Sequence, residues 1–173
     1  MKSSFIYELL SPKLLNLILT FLTLKARNLI KVPKLTSEDA QFALKACRRK
    51  ALEIGAPMDI AVVDDGGNLL AFERMDGALV GCIQIAIDKA YTSAVLGIST
   101  AEEGKMAQPG GPEYGINSLC GGRIAILGGG IPIKYNNTII GAIGCSSGTV
   151  DQDITVANAG ITALTRKLSE RDL

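Results

Sequence analysis

The sequence predicts an α/β domain in which helices pack on the faces of a central, mainly antiparallel sheet of five strands. Three observations point there. Apolar residues recur at helical spacing in three stretches, near residues 40–54, 79–96 and 154–168. Short apolar runs lie between those stretches. Turn chemistry joins the runs at Asp64-Asp65-Gly66-Gly67-Asn68 and at Asn136-Asn137. The resulting order, α-β-β-α-loop-β-β-β-α, makes successive strands hairpin partners rather than parallel crossovers.

The first helix opens at Thr36, whose hydroxyl suits an N-cap, with Glu38 and Asp39 in the electropositive first turn. Ala40, Leu44, Cys47, Ala51 and Ile54 form its apolar stripe, and Gly55 and Pro57 end it. Ile60-Ala61-Val62-Val63 is wholly apolar and reads as a central strand covered on both faces. The Asp64–Asn68 turn then returns the chain along Leu69–Arg74. Leu79–Leu96 is a second helix with little polar surface, which calls for cover from the sheet and from another helix or subunit. Gly97–Asn117 reads as a loop centred on Pro109-Gly110-Gly111-Pro112, of a length that is often functional. Ile124-Ala125-Ile126-Leu127 is a third strand, and Ile131–Tyr135 with Thr138–Cys145 forms a hairpin after it. Thr149 and Gln152 fit a capping box for the last helix, whose stripe is Ile154, Ala157, Ile161, Leu164 and Leu168.

At 173 residues and 47% hydrophobic content, the chain can bury a core without disulfides or metal. Net charge is +1 with no Lys/Arg stripe, so the concentrated field that nucleic-acid binding needs is missing. Cys47, Cys82, Cys120 and Cys145 form no CxxC pair and no zinc spacing. They read as small hydrophobes in a reducing, cytoplasmic compartment. The chain has no histidine. That removes Ser-His-Asp and Cys-His nucleophile activation and histidine-ligated metal sites, and no metal site is expected. Residues 1–34 form an apolar accessory segment ahead of the domain at 35–173. Leu14–Leu24 is apolar between Lys13 and Lys25, but too short to span a membrane. An accessory packing helix, an uncleaved export signal and an over-long reading frame are three readings of it.

Several glycine-marked segments carry a resemblance. They are Val63-Asp64-Asp65-Gly66-Gly67-Asn68 with Arg74-Met75-Asp76, then Asp88-Lys89-Ala90-Tyr91-Thr92-Ser93-Ala94. Gly128-Gly129-Gly130-Ile131-Pro132 and Gly141-Ala142-Ile143-Gly144 with Ser147-Gly148 follow. In this order and spacing, from about Leu35 to Leu168, the chain resembles the family of heme-binding protein HbpS, glycolate-operon protein GlcG and the C-terminal domain of the PduO corrinoid adenosyltransferase. The resemblance implies a profilin-like α-β-α sandwich that assembles into homo-oligomers. It also implies heme binding in some members, and in others a link to glycolate, diol or aromatic metabolism. A heme-coordinating histidine of the diol-utilisation branch has no equivalent here.

The candidate chemistry rests on Lys, Tyr, Arg, carboxylates and backbone donors. Lys89 lies between apolar helical turns, where it would act as a base or imine former, or pair with an acid. Gly128-Gly129-Gly130, leading into Pro132, either presents N–H groups to an anion or makes a sharp connection. Arg123 and Tyr114 flank the Pro/Gly loop, where a guanidinium would grip a carboxylate in bidentate fashion. Glu113 is the nearest acid and a candidate base. Together with Tyr91, these residues are expected to line a pocket between the second helix, the 104–123 loop and the Gly128–Pro132 turn. The expected function is the binding of a small acidic or oxygenated metabolite, or of a tetrapyrrole, by a homo-oligomer. The rival is a metal-free acid/base enzyme of isomerase or lyase type, with Lys89, Glu113 or Tyr114 moving protons. Heme is disfavoured by the missing imidazole. Its remaining axial candidates are Cys120, Cys145, Met75, Met106, Tyr91 and Tyr114.

Overall fold

The computed structural model describes residues 11–14, 16–17, 30 and 32–171. It falls into two compact units, Met1–Val32 and Pro33–Leu173. In the first, residues 12–14, 16 and 17 are helical, and most of the apolar run at 14–24 lies outside the described residues. Among the described residues no helix is long and apolar enough to cross a membrane.

The second unit begins with α1 (Ser37–Glu53), where the Thr36 hydroxyl accepts the Asp39 N–H at 3.1 Å, as an N-cap should. Strands β1 (Asp59–Asp64) and β2 (Leu69–Arg74) form the first hairpin. Helix α2 (Cys82–Leu96) follows, then a short helix α3 (Thr100–Met106). Strands β3 (Gly130–Tyr135) and β4 (Thr138–Ser146) make the second hairpin, and α4 (Val150–Ser169) closes the chain behind a Thr149/Gln152 capping box.

The sheet runs β2-β1-β4-β3, antiparallel at every junction. Both apolar central strands are covered on two faces. Ile60, Val62 and Ile143 point to α1 and α4 and meet Leu44, Val156 and Leu164. Ala61, Val63 and Ala142 point the other way, to Ala86, Ala90 and Ala94 of α2. Small residues on this second face let the backbones approach closely. A Cβ on Gly144 of β4 would overlap the Ala86 carbonyl of α2, so the helix lies directly on the strand there.

The α/β class and the antiparallel sheet hold, but the sheet has four strands, not five. Ile124–Leu127 joins no ladder. Its backbone is held instead by a side chain, since the Ala125 N–H donates to the Thr92 hydroxyl at 2.8 Å. A Cβ on Gly104 of α3 would overlap the Ile126 carbonyl, so the segment is wedged against two helices rather than along a strand. Gly97–Asn117 also differs from the expected loop. It contains α3, started by a Ser99/Glu102 capping box, and then a turn-rich stretch to residue 122.

Candidate functional site

The outward turn of α2 and the segment at 117–127 frame a cleft of about 280 Å³. Ile85, Ile124, Ile126 and Leu127 supply apolar wall, while Asp88, Asn117 and Arg123 supply polar groups. Arg123 is built in from two sides. Its Nε donates to Asp88 Oδ1 at 3.0 Å, and its guanidinium carbon lies 3.8 Å from the centroid of the Tyr91 ring. Among the described residues, Nε is the guanidinium nitrogen with a protein partner, and the side chain remains 40% exposed. The other two nitrogens are therefore free to donate to a ligand.

Each support of Arg123 is itself held. Asp88 also accepts from Gln84 Nε2 at 3.0 Å, one helical turn earlier. The Thr92 hydroxyl lies 2.7 Å from the Asp88 carbonyl and 3.2 Å from the Arg123 carbonyl, which ties the Arg123 backbone to α2. Tyr91 packs against the β1–β2 turn, where a Cβ on Gly67 would overlap the ring. Gly67 has φ of 77°, so this position favours glycine twice over. Asp64 fixes the same turn by accepting the Gly66 and Asn68 N–H groups, each at 2.9 Å. Partial burial acts to raise the Asp64 carboxyl, but these donors, the Asn68 amide and Lys34 outweigh it and hold it below the ordinary range. The Asp-Gly-Gly-Asn motif thus serves as the platform for Tyr91, and through it for Arg123.

The other expected site residues lie elsewhere. Lys89 points into the core, not into the cleft. Its ammonium donates to Asp153 Oδ2 at 2.7 Å and to the Cys145 carbonyl at 3.0 Å, with both side chains almost wholly buried. Asp153 accepts the Gly148 N–H as well, at 3.1 Å. Burial pushes the Asp153 carboxyl up, and Lys89 opposes that shift. Gly129 packs against this pair and Gly130 against the Lys89 backbone, while Gly128 is buried against Ile154, Val150 and Ala101. The Gly130 N–H donates to the Thr100 hydroxyl at 2.9 Å, and a Cβ on Gly129 would crowd the Cys145 carbonyl at 2.6 Å. Pro132 sits on the edge strand β3, opposite Ala142. Tyr114 is exposed and Glu113 half-buried, and neither lines the cleft. The sequence reading left out Asp88, Thr92 and Asn117 as site residues, and Asp153 as the partner of Lys89. Asp88 and Thr92 lay within the quoted α2 motif; Asn117 and Asp153 carry no local signal.

The fold is thus an α/β sandwich in which α2 and the β1–β2 turn hold Arg123 beside a small cleft. The family described as haem degrading protein HbpS-like matches residues 35–162, and the chain belongs to it. It is 40% identical over 131 residues to an uncharacterized 15.0 kDa protein of the dhaT-dhaS intergenic region of Citrobacter freundii, covering 76% of this chain and 92% of that one. Among solved structures, it is similar to the Klebsiella pneumoniae protein ORFY at a TM-score of 0.78 and 37% identity, over 80% of this chain and 95% of that one. A PduOC:heme complex matches at a TM-score of 0.73 and 30% identity, over 76% and 95%.

Proposed function

We propose that the protein binds a small acidic, oxygenated metabolite in the Arg123 cleft, as part of a homo-oligomer. One observation carries the reading: a guanidinium clamped through Nε and stacked on an aromatic face, with its remaining donors free beside apolar walls. That geometry pre-organises a planar fork for a carboxylate at little entropic cost. A cleft of about 280 Å³ lies at the small end of ligand pockets, which suits a short-chain acid. The Asn117 side chain would add a hydrogen bond to a hydroxyl or keto group.

Heme is the ligand named for one solved relative. The residues present here do not fit it. No imidazole exists in the chain. Burial pushes the Cys145 thiol well up, which keeps it neutral, and Met75 is buried. The Tyr91 ring is already engaged by Arg123 and packed against Gly67. Met106, Tyr114 and Cys120 do not line the cleft.

Calorimetric titration with glycolate, lactate and their keto analogues tests the reading. Arg123→Leu should weaken binding by roughly ten- to a hundred-fold, the cost of a lost charge-assisted hydrogen-bond pair, with the fold retained. Equal affinity in the variant would remove Arg123 from the site. Hemin in the same experiment should give weak, non-stoichiometric binding. A sharp one-to-one endpoint, abolished by changing one of the six axial candidates, would restore heme as the ligand.

A further inference from the structure

We propose that Asp88 selects the ligand of the Arg123 cleft, favouring short 2-hydroxy acids over their 2-keto counterparts. The inference rests on the reading of the cleft as a carboxylate site, and it names the substituent read beside that carboxylate. Asp88 lines the cleft together with Arg123 and Asn117. Its two carboxylate oxygens are used unequally. Oδ1 accepts from Gln84 Nε2 and from Arg123 Nε, each at 3.0 Å. Among the described residues Oδ2 accepts from none, and the side chain is 18% exposed. A half-buried carboxylate on the cleft wall thus keeps one oxygen open to a donor.

An ionised carboxylate only accepts hydrogen bonds, and a guanidinium only donates them. Side by side, the two impose a polarity on any ligand that lies across both. A ligand carboxylate taken by the free nitrogens of Arg123 sets its second carbon one bond from the grip. A hydroxyl on that carbon donates to Asp88 Oδ2, which makes a charge-assisted bond. A keto oxygen has no proton to give, and its lone pairs meet a negative oxygen instead. Asn117 does not discriminate, because its amide both donates and accepts. Two backbone donors on this wall are already engaged: the Gly122 N–H by the Leu119 carbonyl and the Ala125 N–H by the Thr92 hydroxyl. Ile85, Ile124, Ile126 and Leu127 have no side-chain donor with which to compensate a keto oxygen. Selection therefore comes as much from what Asp88 repels as from what it binds.

Calorimetry on the full chain with lactate, propionate and pyruvate provides the test. Lactate should bind roughly ten-fold or more tightly than pyruvate, with propionate between them. Asp88→Asn supplies the decisive comparison. Arg123 Nε has to face an acceptor, so in that variant the amide oxygen keeps the place of Oδ1 and the NH2 group takes that of Oδ2. The order should then reverse, with pyruvate above lactate. Asp88→Ala should bring the two ligands to similar affinity. A residue that only steadied Arg123 would weaken all three ligands alike in both variants and leave their order intact. That result, or a wild type that binds lactate and pyruvate equally, would overturn the role of Asp88 while leaving the carboxylate site standing. Failure of all three carboxylates to bind the unaltered chain would overturn the reading of the cleft, and this selection with it.

Discussion

Lys89 and Asp153 meet at 2.7 Å although 64 residues separate them in the chain. The contact joins α2 to the first turn of α4, with the Cys145 carbonyl of β4 as third member. A buried charge pair of this kind gives little net stability over an apolar pair of equal volume, but breaking it strands one charge. Lys89→Met should therefore cost about 3–5 kcal/mol, because Asp153 stays buried without its cation. Replacing both, as Lys89→Met with Asp153→Leu, should recover most of that loss despite the forfeited Gly148 contact. Urea denaturation of the two single variants and the double variant measures the coupling. Additive losses would mean that the ammonium and the carboxylate do not act as a pair. The same geometry limits what Lys89 does chemically: an ammonium with two short acceptors is not poised as a free base.

At the scale of elements, α1 and α4 are tied at one end by Asp39. Its carboxylate receives Arg171 through two nitrogens at 2.9 Å and Lys167 at 3.0 Å, and lies beside the Thr36 hydroxyl at 2.8 Å. Burial acts to raise this carboxyl, yet Arg171, Lys167 and Thr36 outweigh it and hold it at about 2. The folded value lies below the unfolded one. Its contribution is thus present above the ordinary carboxylate range and lost as pH falls toward 2. It amounts to at most about 2 kcal/mol, since the cations are partly solvated. The stability gap between wild type and Asp39→Asn, followed by urea midpoint, should be widest near neutrality and close in acid; a gap independent of pH would show that the tie is not ionic. Local signals explain which elements were legible in the sequence. Thr36, the Asp64–Asn68 turn, Asn136-Asn137 and the Thr149/Gln152 box all sit where the sequence placed them, because caps and hairpins are decided within a few residues. Helix α3 escaped notice because Thr100–Met106 has no apolar stripe and carries Gly104, although Ser99 and Glu102 spelled out its cap. The supposed strand at 124–127 failed for the opposite reason. An apolar run of four is the same whether its N–H groups meet a ladder or the Thr92 hydroxyl. Arg123 was singled out in the sequence as a candidate, but its contact with Asp88, 35 residues away, and its stacking on Tyr91 are recorded by no local pattern.

Across the Pro33–Leu173 unit, the two sheet faces are covered unequally. Helices α1 and α4 pack together over one face, whereas α2 covers the other with α3 at its end. The outward side of α2 is left apolar: Ile85, Val95 and Leu96 are exposed along it, with Leu79 and Val80 ahead of its first turn. Leu127, exposed on the wall of the Arg123 cleft that Ile85 also lines, extends that surface. Soluble chains seldom leave so many large apolar side chains uncovered on one side, and such patches usually mark interfaces. A second copy is the simplest cover, because closed symmetric pairing buries the same patch on both partners. It would also restrict access to the cleft, which shares Ile85 and Leu127 with the patch. The protein should therefore run as a discrete oligomer by light scattering at micromolar concentration. Val80→Glu combined with Leu127→Glu should shift it toward monomer, since like, uncompensated charges in an apolar contact cost more than the contact returns. A monodisperse monomer for the unaltered chain would defeat the reading, and a mutant of unchanged mass would move the interface to another face.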